Sequence, residues 1–123
     1  LRSYLGVGIA VWAPADGTDK TLTVEPQETF RGERLLIDIL ATGGTDTGIT
    51  LVRRIDVGSL AQSPSTEQAA PAAMFRADAT YAGLDLQIAF RGLNISVVLG
   101  RTAATPAGVT STASVGLYGE WVR

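Results

Sequence analysis

The sequence predicts an all-β chain, an eight-stranded antiparallel β-sandwich, and three observations predict it. Apolar residues alternate at period two in segment after segment, turn-forming residues punctuate those segments, and no stretch holds helical periodicity for long. Period-two spacing puts every second side chain on the same face of a strand, so a sheet with one buried face satisfies it. Eight segments show the pattern: Ser3–Trp12, Lys20–Glu25, Phe30–Leu40, Gly48–Val57, Ala73–Asp78, Gly83–Phe90, Leu93–Arg101 and Ser114–Val122.

The clearest alternation is Leu84-Asp-Leu86-Gln-Ile88-Ala-Phe90, and Ile95, Val97 and Leu99 repeat it. With Leu35, Ile37 and Ile39 these residues make up the expected core between two sheets. Trp12 and Trp121 are expected to pack in the core or at its edge. Between strands, Ala13–Thr18 and Ala41–Thr47 carry the Gly, Pro, Asp and Thr residues of loops. Ser59–Ala72 is a longer loop rich in Ala, Ser and Pro, with a helical turn expected around Glu67–Ala70, and Thr102–Thr112 reads as a mobile, small-residue loop. Eight short strands without intervening helices fit a single jelly roll, with an immunoglobulin-like sandwich as the alternative.

At 123 residues the chain suits one domain, residues 1–123, large enough to bury a core without staples. It has no cysteine and no histidine, which excludes disulfides, thiolate nucleophiles, Cys/His zinc sites and imidazole acid–base chemistry. Ten basic against twelve acidic residues leave a net charge of −2, so direct nucleic-acid binding is not expected.

Asp46-Thr47-Gly48 matches the triplet that carries the catalytic aspartate of retroviral-type aspartic proteases, and Val97–Arg101 resembles their apolar-Gly-Arg segment. Those enzymes need two carboxylates sharing a proton on a rigid buried support. Here the triplet follows Thr42-Gly-Gly-Thr45, so a solvated turn is the expectation, and no residue is expected to be catalytic. Gly6-Val7-Gly8 lacks the third glycine and the helix of a phosphate loop, and reads as strand glycines at a close approach. Asn94-Ile95-Ser96 is a glycosylation triplet inside a strand, where no sugar is expected. Asp16, Asp19, Asp38, Asp46, Asp56 and Asp85 lack calcium-loop spacing, so neither metal nor cofactor is expected.

Phe30-Arg-Gly-Glu-Arg-Leu-Leu-Ile37 sets three charges between an aromatic residue and an apolar run. Arg31, Glu33 and Arg34 are either a solvated start of a strand or fixed pairs with another segment or subunit, a use suited to guanidinium geometry. Arg53 and Arg54 beside Asp56 form the second such cluster. These five residues, Arg31, Glu33, Arg34, Arg53 and Arg54, are the candidate subunit contacts.

The order of Phe30–Ile37, Ile55-Asp-Val-Gly58 with Gln62, Pro71-Ala72 before Phe75, and a last strand starting through Asn94-Ile-Ser96 resembles the small jelly-roll coat proteins of tailless icosahedral bacteriophages, over about Val24–Gly100. The resemblance implies a structural capsid subunit that self-assembles into an icosahedral shell, made in the host cytoplasm and residing in the virion. Its partners are then copies of itself and other capsid proteins, often around an internal viral membrane, with no small-molecule substrate. The chain has room for one jelly roll only and lacks the basic arm of some coat proteins. Composition agrees: 46% of residues are hydrophobic and 18% charged, against about 25% charged in average domains, a surface inclined to associate. The competing reading is a carbohydrate-binding or adhesive β-sandwich module, a spike or lectin-like domain, which shares the architecture but needs exposed aromatics.

Overall fold

A computed structural model describes residues 2–58, 60–61, 70–75 and 93–121. Its strands are β1 (Arg2–Trp12), β2 (Lys20–Val24), β3 (Phe30–Thr42), β4 (Thr50–Val57), β5 (Leu60–Ala61), β6 (Ala70–Pro71), β7 (Ile95–Arg101) and β8 (Thr110–Trp121), with a 3₁₀ turn at Ala72–Phe75. They form two antiparallel sheets. One runs β1-β8-β3, and the other runs β2-β7-β4-β5, with β6 also paired to β4. The chain is therefore all-β and built as a two-sheet sandwich.

The core lies between the sheets because each strand turns one face inward. Trp12, Phe30, Leu35, Val52, Ile55, Val97, Leu99 and Leu117 have no solvent exposure. Burying one such large side chain contributes on the order of 1.5–3 kcal/mol, so this set outweighs any surface pair in the molecule. Ile37 and Ile95 join them, while Ile39 is only half-buried and packs at the margin. Trp121 also packs there, with Phe30 edge-on at 4.8 Å.

Simple alternation does not hold along whole strands. In β1 the register slips between Gly6 and Gly8, in β3 between Gly32 and Arg34, and in β4 between Val52 and Arg54. Each slip is a β-bulge that leaves one residue, Val7, Glu33 or Arg53, without an opposite partner and reverses which parity faces inward. Val7 gives way to Ala10, Gly32 to Leu35 and Val52 to Ile55 on the core side. Of the two glycines expected at a close approach, Gly8 lies against the Leu22 side chain, but the space above Gly6 is open.

The expected strands at the start, middle and end of the chain appear, with shifts. The last begins at Thr110, because Thr110, Ser111, Thr112 and Ala113 already pair with β3, and all but Thr110 with β1 as well. The strand expected from Ala73 is instead a 3₁₀ turn through Phe75, where Ala72 and Phe75 plug the core with too few residues for a ladder. Ala70, placed in a helical turn by the sequence, pairs with Val52 in β6. The remainder of those two segments, and the expected strand Gly83–Phe90 with core residues Leu84, Leu86, Ile88 and Phe90, lie outside the described residues. Among the described residues no helix is long and apolar enough to cross a membrane.

Candidate functional site

Two constructions stand out, at opposite ends of the sandwich. At one end the loops 13–19, 43–49 and 102–109 converge and are knit together. Arg101 closes β7 on its inward parity, after Ile95, Val97 and Leu99, and its side chain has no solvent exposure. A buried guanidinium needs every donor answered. It donates to Asp46 Oδ1, to the Ala103 carbonyl at 3.0 Å and to Thr50 Oγ1 at 3.3 Å, and it lies 5.7 Å from the centre of the Trp12 ring. Trp12 in turn donates to the Thr18 carbonyl at 2.8 Å.

Asp46 is therefore not in a solvated turn: its side chain is 12% exposed and also accepts the Gly48 amide at 3.0 Å. The Arg101 hydrogen bond, joined by that amide, holds its carboxyl below the usual carboxylate range. Its charge is met by a guanidinium rather than by the second carboxyl of a proton-sharing pair. Gly48 is required beside it, since a Cβ there would run into the Arg101 guanidinium.

Thr105 clamps the other loops. Its hydroxyl donates to the Ala13 carbonyl and accepts the Asp16 amide at 3.1 Å, and its own backbone exchanges bonds with Ala15 and Asp16. Asp16 accepts from the Thr18 amide and hydroxyl and pairs with Lys20 at 2.9 Å, which lowers its pKa to about 2. The segment expected to be a mobile loop is thus shorter than expected and anchored at its middle.

At the opposite end, Arg31 reaches Glu33 at 3.6 Å and Glu120 at 3.4 Å, joining the start of β3 to the end of β8. Arg34, one step past the bulge, lies on the outer face beside Tyr4, Leu36 and Tyr118, which line an open groove of about 310 Å³. Arg53 and Arg54 belong to the other sheet. Arg53 binds Asp19 at 3.0 Å over the bare backbone of Gly100, and Arg54 binds Asp56 at 2.9 Å. The five sequence-predicted contact residues thus form two clusters on different sheets. Each named pair is within the chain and at least partly exposed, worth about 0–1 kcal/mol.

The buried group that sequence reading missed is Arg101 with Asp46. Its signal was present: continuing the alternation of Ile95, Val97 and Leu99 puts Arg101 on the core face, where a partner is obligatory. Among the described residues no three Asp or Glu side chains converge in a way that could hold a metal. No family model, curated protein or solved structure matches the chain.

Proposed function

We propose that this chain is a single jelly-roll capsid subunit, a structural virion protein without a catalytic residue that assembles with copies of itself. The observation that carries the reading is strand order. The first strand lies beside the last and the second beside the last but one, while the third and fourth return to the far sides of those same two partners. A long antiparallel ribbon rolled once on itself produces this order, and the rolled ribbon is the jelly roll of capsid and lectin domains.

Fold alone does not specify function, so the assignment leans on two further features. The sequence resemblance to phage coat proteins runs through β3 and β4. The knit loop end also suits a lattice, because it offers neighbours a fixed surface rather than one that must be ordered on contact.

A binding module is the second reading, favoured by the groove between Tyr4 and Tyr118, whose rings meet edge-on at 5.1 Å. Light scattering on the purified chain, with a glycan array in parallel, separates the two. Large oligomers without glycan binding support the capsid subunit. A stable monomer that binds glycans supports the module and overturns the capsid reading.

A further inference from the structure

We infer that the loops 13–19, 43–49 and 102–109 form one acid-operated latch, which opens as a unit when a proton reaches Asp46 while the sandwich beneath stays folded. The inference goes beyond the function proposed above and holds whether or not the chain assembles.

These loops are held by polar contacts and bury little. Of their residues only Thr105 and Val109 are buried, whereas the large apolar side chains of the core sit on the strands between the sheets. The loops interlock through their backbones. Ala15 donates to the Thr105 carbonyl at 3.0 Å, Thr105 to the Asp16 carbonyl at 3.1 Å, and Thr102 to the Ile49 carbonyl at 3.0 Å. The Ile49 amide donates in return to the Thr102 hydroxyl at 3.0 Å. A unit with few apolar contacts and shared hydrogen bonds opens cooperatively, at less cost than global unfolding.

The Arg101 guanidinium fastens this unit to the sandwich. From the end of β7 it reaches Asp46 in one loop, the Ala103 carbonyl in another and Thr50 on β4. Its side chain has no exposure while the loops are closed, so its charge depends on Asp46. Once Asp46 is neutral, the buried cation is uncompensated, and lifting the loops to admit water relieves it.

Of the groups that face Asp46, Arg101 carries the charge, and the Gly48 amide and the Ser111 hydroxyl on β8 are neutral. The charges of the neighbouring loop are matched elsewhere: Asp16 pairs with Lys20 at 2.9 Å, and Asp19 with Arg53 at 3.0 Å. Arg53 also donates to the Arg101 carbonyl at 3.4 Å. Asp16 has its partners Thr18 and Lys20 in its own stretch of chain and keeps them within reach on opening. Asp46 loses a partner 55 residues away. One carboxylate is therefore linked to opening, which then grows by up to about tenfold for each pH unit below the ordinary carboxylate value.

Amide hydrogen exchange followed by NMR on the full chain, expressed as protection relative to the unfolded chain at each pH, tests the latch. The Ala15, Thr102 and Thr105 amides are expected to lose protection together, by about tenfold between about pH 4 and about pH 3. Val97 and Leu117, on β7 and β8 with a strand paired to either side, keep theirs. Asp46→Asn raises opening at neutral pH by about a hundredfold or more and removes the dependence on pH. Asp46→Asn/Arg101→Met, which takes away both charges, returns the loops to within about tenfold of wild-type protection. Circular dichroism checks the fold of both variants, and the wild-type series decides alone if either fails to fold. Loop and strand amides that lose protection together overturn the latch, as do loop amides whose protection is level throughout the acid range. So does an Asp46→Asn chain with wild-type protection, or a double variant as open as the single one.

Discussion

Arg101 and Asp46, separated by 55 residues, form a buried ion pair that fastens the loop between β3 and β4 to the end of β7. Removing one partner strands the other. Asp46→Asn keeps the side-chain oxygen that receives the Gly48 amide but leaves the Arg101 charge uncompensated in a site with no exposure, a loss of about 3–5 kcal/mol. Urea denaturation reads it directly. A loss under about 1 kcal/mol means that the pair is not holding the loop end. In the proposed function the same variant changes no peptide-cleaving activity, and loss of such activity would revive a protease role for the triplet.

The same pair sets the acid limit. Asp46 has its carboxyl lowered by Arg101, and Asp16, through the Thr18 amide and Lys20, has its pKa at about 2. A carboxyl lowered in the folded state binds its proton more readily when unfolded, so its stabilisation is complete above the ordinary carboxylate value and drains away as pH falls through the folded value. Melting temperature is therefore expected to hold from pH 7 to about 5 and to fall below about 4. Asp46→Asn flattens part of that fall. A wild-type curve that is level down to pH 2 contradicts the assignment.

Core strength follows burial. Leu117→Ala and Ile55→Ala, at sites without exposure, each cost on the order of 2–5 kcal/mol, whereas Ile9→Ala on the open face changes folding stability by less than about half a kcal/mol. Thermal or urea unfolding of the three variants tests the sandwich interior, and equal losses at Leu117 and Ile9 would refute the assignment of faces.

Much of this was readable in advance. Strands β1 to β4, β7 and β8 follow from alternation of apolar residues, as do Leu35, Ile37, Ile95, Val97 and Leu99 in the core. The bulges at Val7, Glu33 and Arg53 were not readable, because an inserted residue resembles a lapse in alternation rather than a change of phase. The segment from Ala72 became a 3₁₀ turn because Ala72 and Phe75 reach the core three residues apart, a spacing no strand face provides. The pairing of Asp46 with Arg101, and the clamp of Thr105 on Ala13 and Asp16, are products of topology that local pattern does not encode.

Two glycines separate backbone from side-chain crowding. A Cβ on Gly119 would run into the Arg31 carbonyl across the ladder, and the β8 and β3 backbones must part to admit it. A Cβ on Gly100 would meet the ends of Arg53 and Asp19, which can swing aside with loss of an exposed pair. Gly119→Ala is therefore expected to cost more than about 2 kcal/mol and Gly100→Ala about 1 kcal/mol or less. The reverse order in calorimetry would mean that the bulge at Glu33 is looser than its register indicates.

If the chain is a capsid subunit, the sandwich builds a shell from copies of itself. Negative-stain electron microscopy of the purified chain, beside Arg34→Glu with its fold verified by circular dichroism and melting, tests it most directly. Rings or closed particles of uniform size are expected for the wild type, and their absence or misdirected growth for the folded variant. A wild type that remains a dispersed monomer at every concentration would contradict it.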